Sequence, residues 1–344
     1  MKNGTYTAII TPFNGDRVDY DGLDQLVRFQ IENNISGVLA VGTTGESPTL
    51  SWEEHHKVTR AVAEGTRSKC MCIAGTGSNN TREALSATEH AVQCGVDAVL
   101  LVDPYYNGPS SMEIRKEYIA PVAAQFPDLP IIPYVIPGRT GAQLLPADLA
   151  LLSREFPNVQ TVKEATGNID NMRSTRALCG LEFAIFSGDD GMTHQMMTDP
   201  KVGAAGVISV ISNVAPRAVG EMVAFLDQGN IAEADRLKTA LDPLFKLVVV
   251  STTEKTPVGD ALFRARNPLP VKTLMAILGM PSGGCRQPLG KMTRQSLEVV
   301  LGAARTVQQQ NPEVFKPIET FFKVNIEQRL DQPENISELI YPDY

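Results

Sequence analysis

Histidine, cysteine and tryptophan are scarce in this 344-residue chain, which has four, five and one of them. The cysteines (Cys70, Cys72, Cys94, Cys179, Cys285) are odd in number, widely spread and never spaced C-x-x-C. Neither a disulfide framework nor a zinc site is indicated, and a reducing cytoplasm is the expected location. His55 and His56 are adjacent on a predicted helix and face different ways, while His90 and His194 stand alone, so no metal is expected. A basic run is missing too: the net charge is −8, which excludes nucleic acid as a partner. Apolar runs such as Ala98 to Val102 and Lys246 to Val250 fall far short of the roughly 20 residues of a membrane span. The opening MKNGTYTAII lacks the apolar stretch of a secretory signal.

What is present is globular composition, 43% hydrophobic and 20% charged with 27 glycines. Eight strand-sized apolar segments recur: Thr7 to Pro12, Gly37 to Val41, Met71 to Ala74, Ala98 to Val102, Pro130 to Val135, Val159 to Lys163, Phe183 to Ser187 and Gly206 to Val210. Markers in successive segments lie 30, 34, 27, 33, 29, 24 and 22 residues apart, the size of βα units. Leu23 to Asn33 carries apolar residues at helical spacing, and Ser51/Glu54 and Asn80/Glu83 have capping-box spacing. Strands without apolar/polar alternation are buried on both faces, so the expected fold is α/β, a (β/α)8 TIM barrel over residues 1–215. Residues 216–309 read as a region of helices only. Residues 310–344 read as a further helix and an acidic tail, docked or disordered.

Reactive groups of such a barrel gather at the C-terminal strand ends. The second strand runs into GTTGE (Gly42 to Glu46), either a nest of amides and hydroxyls for a carboxylate or phosphate, or a tight turn. Tyr105, Tyr106 and Tyr134 also fall at strand ends, as proton shuttles or as rim residues. Lys163 ends the sixth strand. An amine buried there loses basicity and becomes a nucleophile for a carbonyl carbon; the alternative is pairing with Glu164. Asp189 and Asp190 fit a metal or a helix cap equally. GTGSNN (Gly75 to Asn80) matches a glycine-rich phosphate loop only weakly, and no cofactor is expected.

Taken in order, GTTGE, DPYYNGPS (Asp103 to Ser110), PYVIPGRTG (Pro133 to Gly141), VKEATGN (Val162 to Asn168), SGDD (Ser187 to Asp190), GVISVISN (Gly206 to Asn213) and NPLPVK (Asn267 to Lys272) resemble the dihydrodipicolinate synthase family of pyruvate-dependent class I aldolases. The resemblance implies condensation of pyruvate with L-aspartate 4-semialdehyde in lysine and diaminopimelate biosynthesis. It implies Lys163 as the Schiff-base lysine, and Tyr134, Thr44 and Tyr106 as a proton relay, Tyr106 reaching across a subunit interface. Thr43, Thr44, Gly188 and Ile208 would hold pyruvate, and Arg139 the carboxylate of the aldehyde. A homo-oligomer, a tetramer built from dimers, follows from the shared relay. Ser47, Trp52, His55, Asn79, Glu83 and Tyr105 match the positions at which lysine-inhibited members bind L-lysine. Val135 and Gly138 depart from the family's common Asn and Ser. A sister aldolase, such as N-acetylneuraminate lyase or a 2-keto-3-deoxy-sugar-acid aldolase, is the nearest rival reading. A non-catalytic keto-acid-binding barrel is a second.

Overall fold

The computed structural model describes residues 1–333 and 336–344. Eight parallel strands close into a barrel: β1 (Gly4–Ala8), β2 (Gly37–Ala40), β3 (Met71–Gly75), β4 (Ala98–Val102), β5 (Ile131–Val135), β6 (Thr161–Glu164), β7 (Ala184–Ser187) and β8 (Gly206–Ser209). Closure comes from β1, which pairs with β2 through Tyr6 and Gly37 and with β8 through Gly4 and Gly206. Side chains alternate between the lumen and the helices. On β5, Ile132 and Tyr134 join the lumen cluster with Tyr6, Leu39, Ile73, Phe186 and Ile208, while Ile131 and Val135 pack outward. Tyr6 and Phe186 meet edge to face at 5.4 Å and help fill the interior. Burying each such aromatic contributes roughly 1.5–3 kcal/mol, so the lumen is a core and the mouth is left for chemistry.

The expected barrel is present, with one shift of register at its start. The first strand runs over Gly4–Ala8 rather than Thr7 to Pro12. Ile9 and Ile10 are buried beyond its end, where the Ile10 amide donates to Asn213 Oδ1 at 3.1 Å, so burial outlasts the ladder. Helix Tyr20–Glu32 begins where Asp19 accepts from the Gly22 amide. Helix Trp52–Thr66 has the reciprocal Ser51/Glu54 box. At the next helix, Thr81–Cys94, Asn80 caps as expected, but Glu83 turns away to accept from the Ser78 hydroxyl.

The C-terminal region departs from a helices-only reading. Helix Ile231–Phe245 ends early, and an antiparallel hairpin follows, β9 (Val249–Thr256) and β10 (Gly259–Arg266). Its Val-Val-Ser-Thr-Thr run is β-branched and alternates buried with exposed, a period-2 signal that the adjoining helix obscured. Residues 312–331 form three short helical segments rather than one helix. The tail is docked at Ile340, which is buried and bridges to Met292.

Candidate active site

Tyr134 and Lys163 are register partners on β5 and β6, and both lie on the lumen side at the strands' C-terminal ends. Both are buried, and Lys163 Nζ sits 4.3 Å from the centre of the Tyr134 ring. Burial brings the ammonium down to about 7; the nearby Arg139 cation pushes the same way, and Asp190 opposes. Burial also lifts the Tyr134 phenol to about 12, tempered by Arg139 and by a hydrogen bond with the Thr43 side chain. At neutral pH the amine is substantially free and the phenol holds its proton: a nucleophile beside an acid. The rate of Lys163 addition to a ketone is therefore expected to rise with pH through about 7, levelling above it. A single-turnover pH profile that stays flat from about pH 5.5 to about pH 8.5 would contradict this.

The loop after β2 places the hydroxyls. Val41 and Glu46, which bracket GTTG, hold left-handed backbone angles with φ of 47° and 56°, uncommon for any residue with a Cβ and costliest for a β-branched one. Thr43 lies close enough to the Tyr134 phenol to lower its pKa slightly. Thr44, expected in the relay, is buried and accepts from Asn267 Nδ2 at 3.0 Å. Three C-terminal residues lock the loop. Lys272 Nζ pairs with Glu46 at 2.7 Å and donates to the Thr11 and Gly284 carbonyls, the Arg286 amide donates to Glu46 Oε2 at 2.9 Å, and Asn267 holds Thr44.

Arg139, on the short helix Pro137–Thr140, donates to the Asn267 carbonyl at 3.0 Å. With Thr43, Ser47, Tyr105, Tyr134 and Ile136 it lines a cavity of about 230 Å³, large enough for a small acid. Gly188 serves the lysine: a Cβ there would come within 3.1 Å of Lys163 Cε and 2.8 Å of Ala165 Cβ. Ile208 is buried in the lumen cluster with Tyr134. Tyr106 is 88% exposed, adopts φ of 81° and is outside the cavity lining. The six lysine-site candidates are only partly gathered. Ser47 and Tyr105 line the cavity, burial raises the Tyr105 phenol pKa and the nearby Glu83 adds to it, and Trp52 lies against the His55 ring at 5.0 Å. His55 itself is buried and driven down to about 4 by desolvation, so it is neutral; Asn79 is exposed.

The dihydrodipicolinate synthetase family matches residues 1–307. The chain belongs to that family. A 4-hydroxy-tetrahydrodipicolinate synthase of Syntrophus aciditrophicus is 41% identical over 298 residues, covering 87% of this chain and 96% of the relative. Among solved structures, the dihydrodipicolinate synthase of Aquifex aeolicus superposes with a TM-score of 0.81 at 37% identity, covering 91% of this chain and 99% of its own. The enzyme from Cyanidioschyzon merolae, solved with lysine bound, gives 0.80 at 34% identity over 89% and 98% of the two chains. The chain is thus a lyase of the class I aldolase type.

Within this family member two functional positions escape a reading of sequence alone. Asp190, read as an alternative cap, is buried and accepts from the Ser209 hydroxyl and the Val210 amide, tying β8 to the loop after β7. Burial raises it to about 6, and its field supports the Lys163 ammonium. Asp189 is the one that caps, accepting from Gly191 N. Asn267 bridges Thr44 and Arg139, and the NPLPVK motif marks it without revealing the contact.

Proposed function

We propose that the Lys163 amine attacks the ketone of pyruvate and expels water, giving a Schiff base on this chain. The iminium withdraws electrons, the pyruvate methyl loses a proton, and the resulting enamine attacks the aldehyde of L-aspartate 4-semialdehyde. The acceptor's own amine then displaces Lys163 from the imine carbon and closes the 4-hydroxy-tetrahydrodipicolinate ring. Tyr134 gives and takes the protons through the threonine pair, with Thr43 beside the phenol and Thr44 held by Asn267. The observation that carries this reading is a buried amine 4.3 Å from the ring centre of a buried tyrosine at a barrel mouth that also holds a guanidinium. That Arg139 fork suits the carboxylate of the acceptor. Arg139→Ala is expected to lower kcat/KM for aspartate semialdehyde by a charge-assisted contact of about 2 to 3 kcal/mol, while borohydride still traps pyruvate on Lys163. Equal loss of both would make Arg139 structural.

The exposed Tyr106, held at a left-handed angle, supports its delivery into a second copy's relay and hence a homo-oligomer, in tetrameric form a pair of dimers. Five free cysteines accord with a reducing cytoplasm. Lysine inhibition is supported by the lysine-bound Cyanidioschyzon merolae structure and by Ser47 and Tyr105 sharing the catalytic cavity. Glu83 would pair the ligand's ammonium. Glu83→Ala is expected to keep full turnover and lose inhibition by millimolar L-lysine; an unchanged inhibition curve would remove Glu83 from the site.

A further inference from the structure

The β9–β10 hairpin leads directly into Asn267, so its base stands at the barrel mouth. Its register pairs Val249 with Arg266 and Ser251 with Arg264, which puts both arginines on one face, opposite the face that Val250, Thr252 and Ala265 bury. Arg266 Nη1 donates to the carbonyl of Gly138, the residue before Arg139, at 3.1 Å. Arg264 is exposed. Both guanidiniums are near enough to Arg139 to lower its basicity, behind the larger effect of its burial. Among the described residues none of the three forms an ion pair with a carboxylate, whereas Lys255 at the hairpin tip is neutralised by Asp260 at 2.6 Å. Like charges repel, and three of them placed together without counter-charges, on a chain of net charge −8, hold a local potential opposite to that of the whole molecule.

We propose that Arg264 and Arg266 form, with Arg139, a cationic vestibule that draws net-anionic carboxylate substrates into the barrel mouth. The inference deepens the pyruvate reading above and rests on it. Pyruvate carries one negative charge and no cation, so it is the substrate that such a field accelerates. The zwitterionic acceptor gains little until its carboxylate meets Arg139 directly. Arg264 and Arg266 are therefore specificity-determining residues of the entrance, while Arg139 remains the binding group inside.

The test measures the second-order rate of borohydride trapping on Lys163 at low pyruvate, across ionic strengths from about 20 to about 500 mM, where screening lengths shrink below the size of the mouth. The wild-type rate is expected to fall about threefold to tenfold with salt. Arg264→Gln should flatten that slope, and Arg264→Glu should lower the low-salt rate by about tenfold and reverse the slope. Methyl pyruvate, an uncharged ester with the same ketone, should be trapped at a rate indifferent to salt and to either substitution. Wild-type rate and slope in Arg264→Glu would overturn the proposal. So would an equal loss with the ester, which would make the hairpin's effect structural. Failure of pyruvate to label Lys163 in the wild-type protein would instead overturn the reading on which the proposal rests.

Discussion

Lys163→Met is expected to abolish the borohydride-stable pyruvate adduct and to lower turnover by at least about 10³-fold, because it removes the amine that forms the imine. The same change should stabilise the fold. A lysine held at about 7 when folded and near 10.4 when unfolded binds fewer protons in the native state, so its burial opposes folding at pH 7. The difference corresponds to a few kcal/mol. The penalty is fully present below the folded pKa and fades as pH rises from about 7 towards about 10.4, so wild-type stability contributed by this group increases over that window. An isosteric methionine has no ammonium to desolvate, and its melting temperature at pH 7 should exceed wild type by several degrees. A variant that loses activity and melts lower would show a packing defect in place of a missing nucleophile.

Removing the phenol hydroxyl should have the second-largest effect. Tyr134→Phe keeps the ring against Lys163 and removes only the hydroxyl, so turnover is expected to fall by about 10² to 10⁴ while the protein stays folded. The two threonines then separate. Thr43→Val should approach the Tyr134→Phe defect because its side chain meets the phenol. Thr44→Val should act mainly on stability, since it leaves Asn267 Nδ2 without its acceptor in a buried place, a loss of about 1 to 3 kcal/mol. Steady-state kinetics beside thermal melts on the two variants decides between them; a greater loss of turnover from Thr44→Val would put Thr44 before Thr43 in the relay.

The threonine pair also marks where sequence reading stops. Seven of the eight barrel strands sit within two residues of their apolar runs, because a parallel strand buried on both faces is written locally as an unbroken run. Lys163 and Tyr134 were legible as candidates for the same reason, each standing at the end of such a run, whereas Arg139 lies beyond β5 on the helix Pro137–Thr140 and came only with the family resemblance. The loop that carries Thr43 and Thr44 lies between the left-handed residues Val41 and Glu46 and is held by partners more than two hundred residues away, which no local pattern records. The hairpin was missed because Lys246 to Val250 continues an apolar helix by pattern alone, although its β-branched successors argue for a strand. Asp190 was hidden by Asp189, an identical neighbour with a surface task.

The locking of the loop after β2 by Asn267, Lys272 and Arg286 sets a schedule for the birth of the enzyme. The contacts span 223, 226 and 240 positions, so a chain emerging from the ribosome holds Lys163 and Tyr134 long before these clamps reach Glu46 and Thr44. At about 5–20 residues per second, the interval between exposing the loop and supplying its last clamp is on the order of tens of seconds. During that time the buried Glu46 has no Lys272, and a carboxylate without its cation does not settle into an apolar site. Competence therefore arrives last, with the closing stretch of translation. An unfinished chain, or one cut after the eighth strand, carries its nucleophile with the loop after β2 present but unclamped.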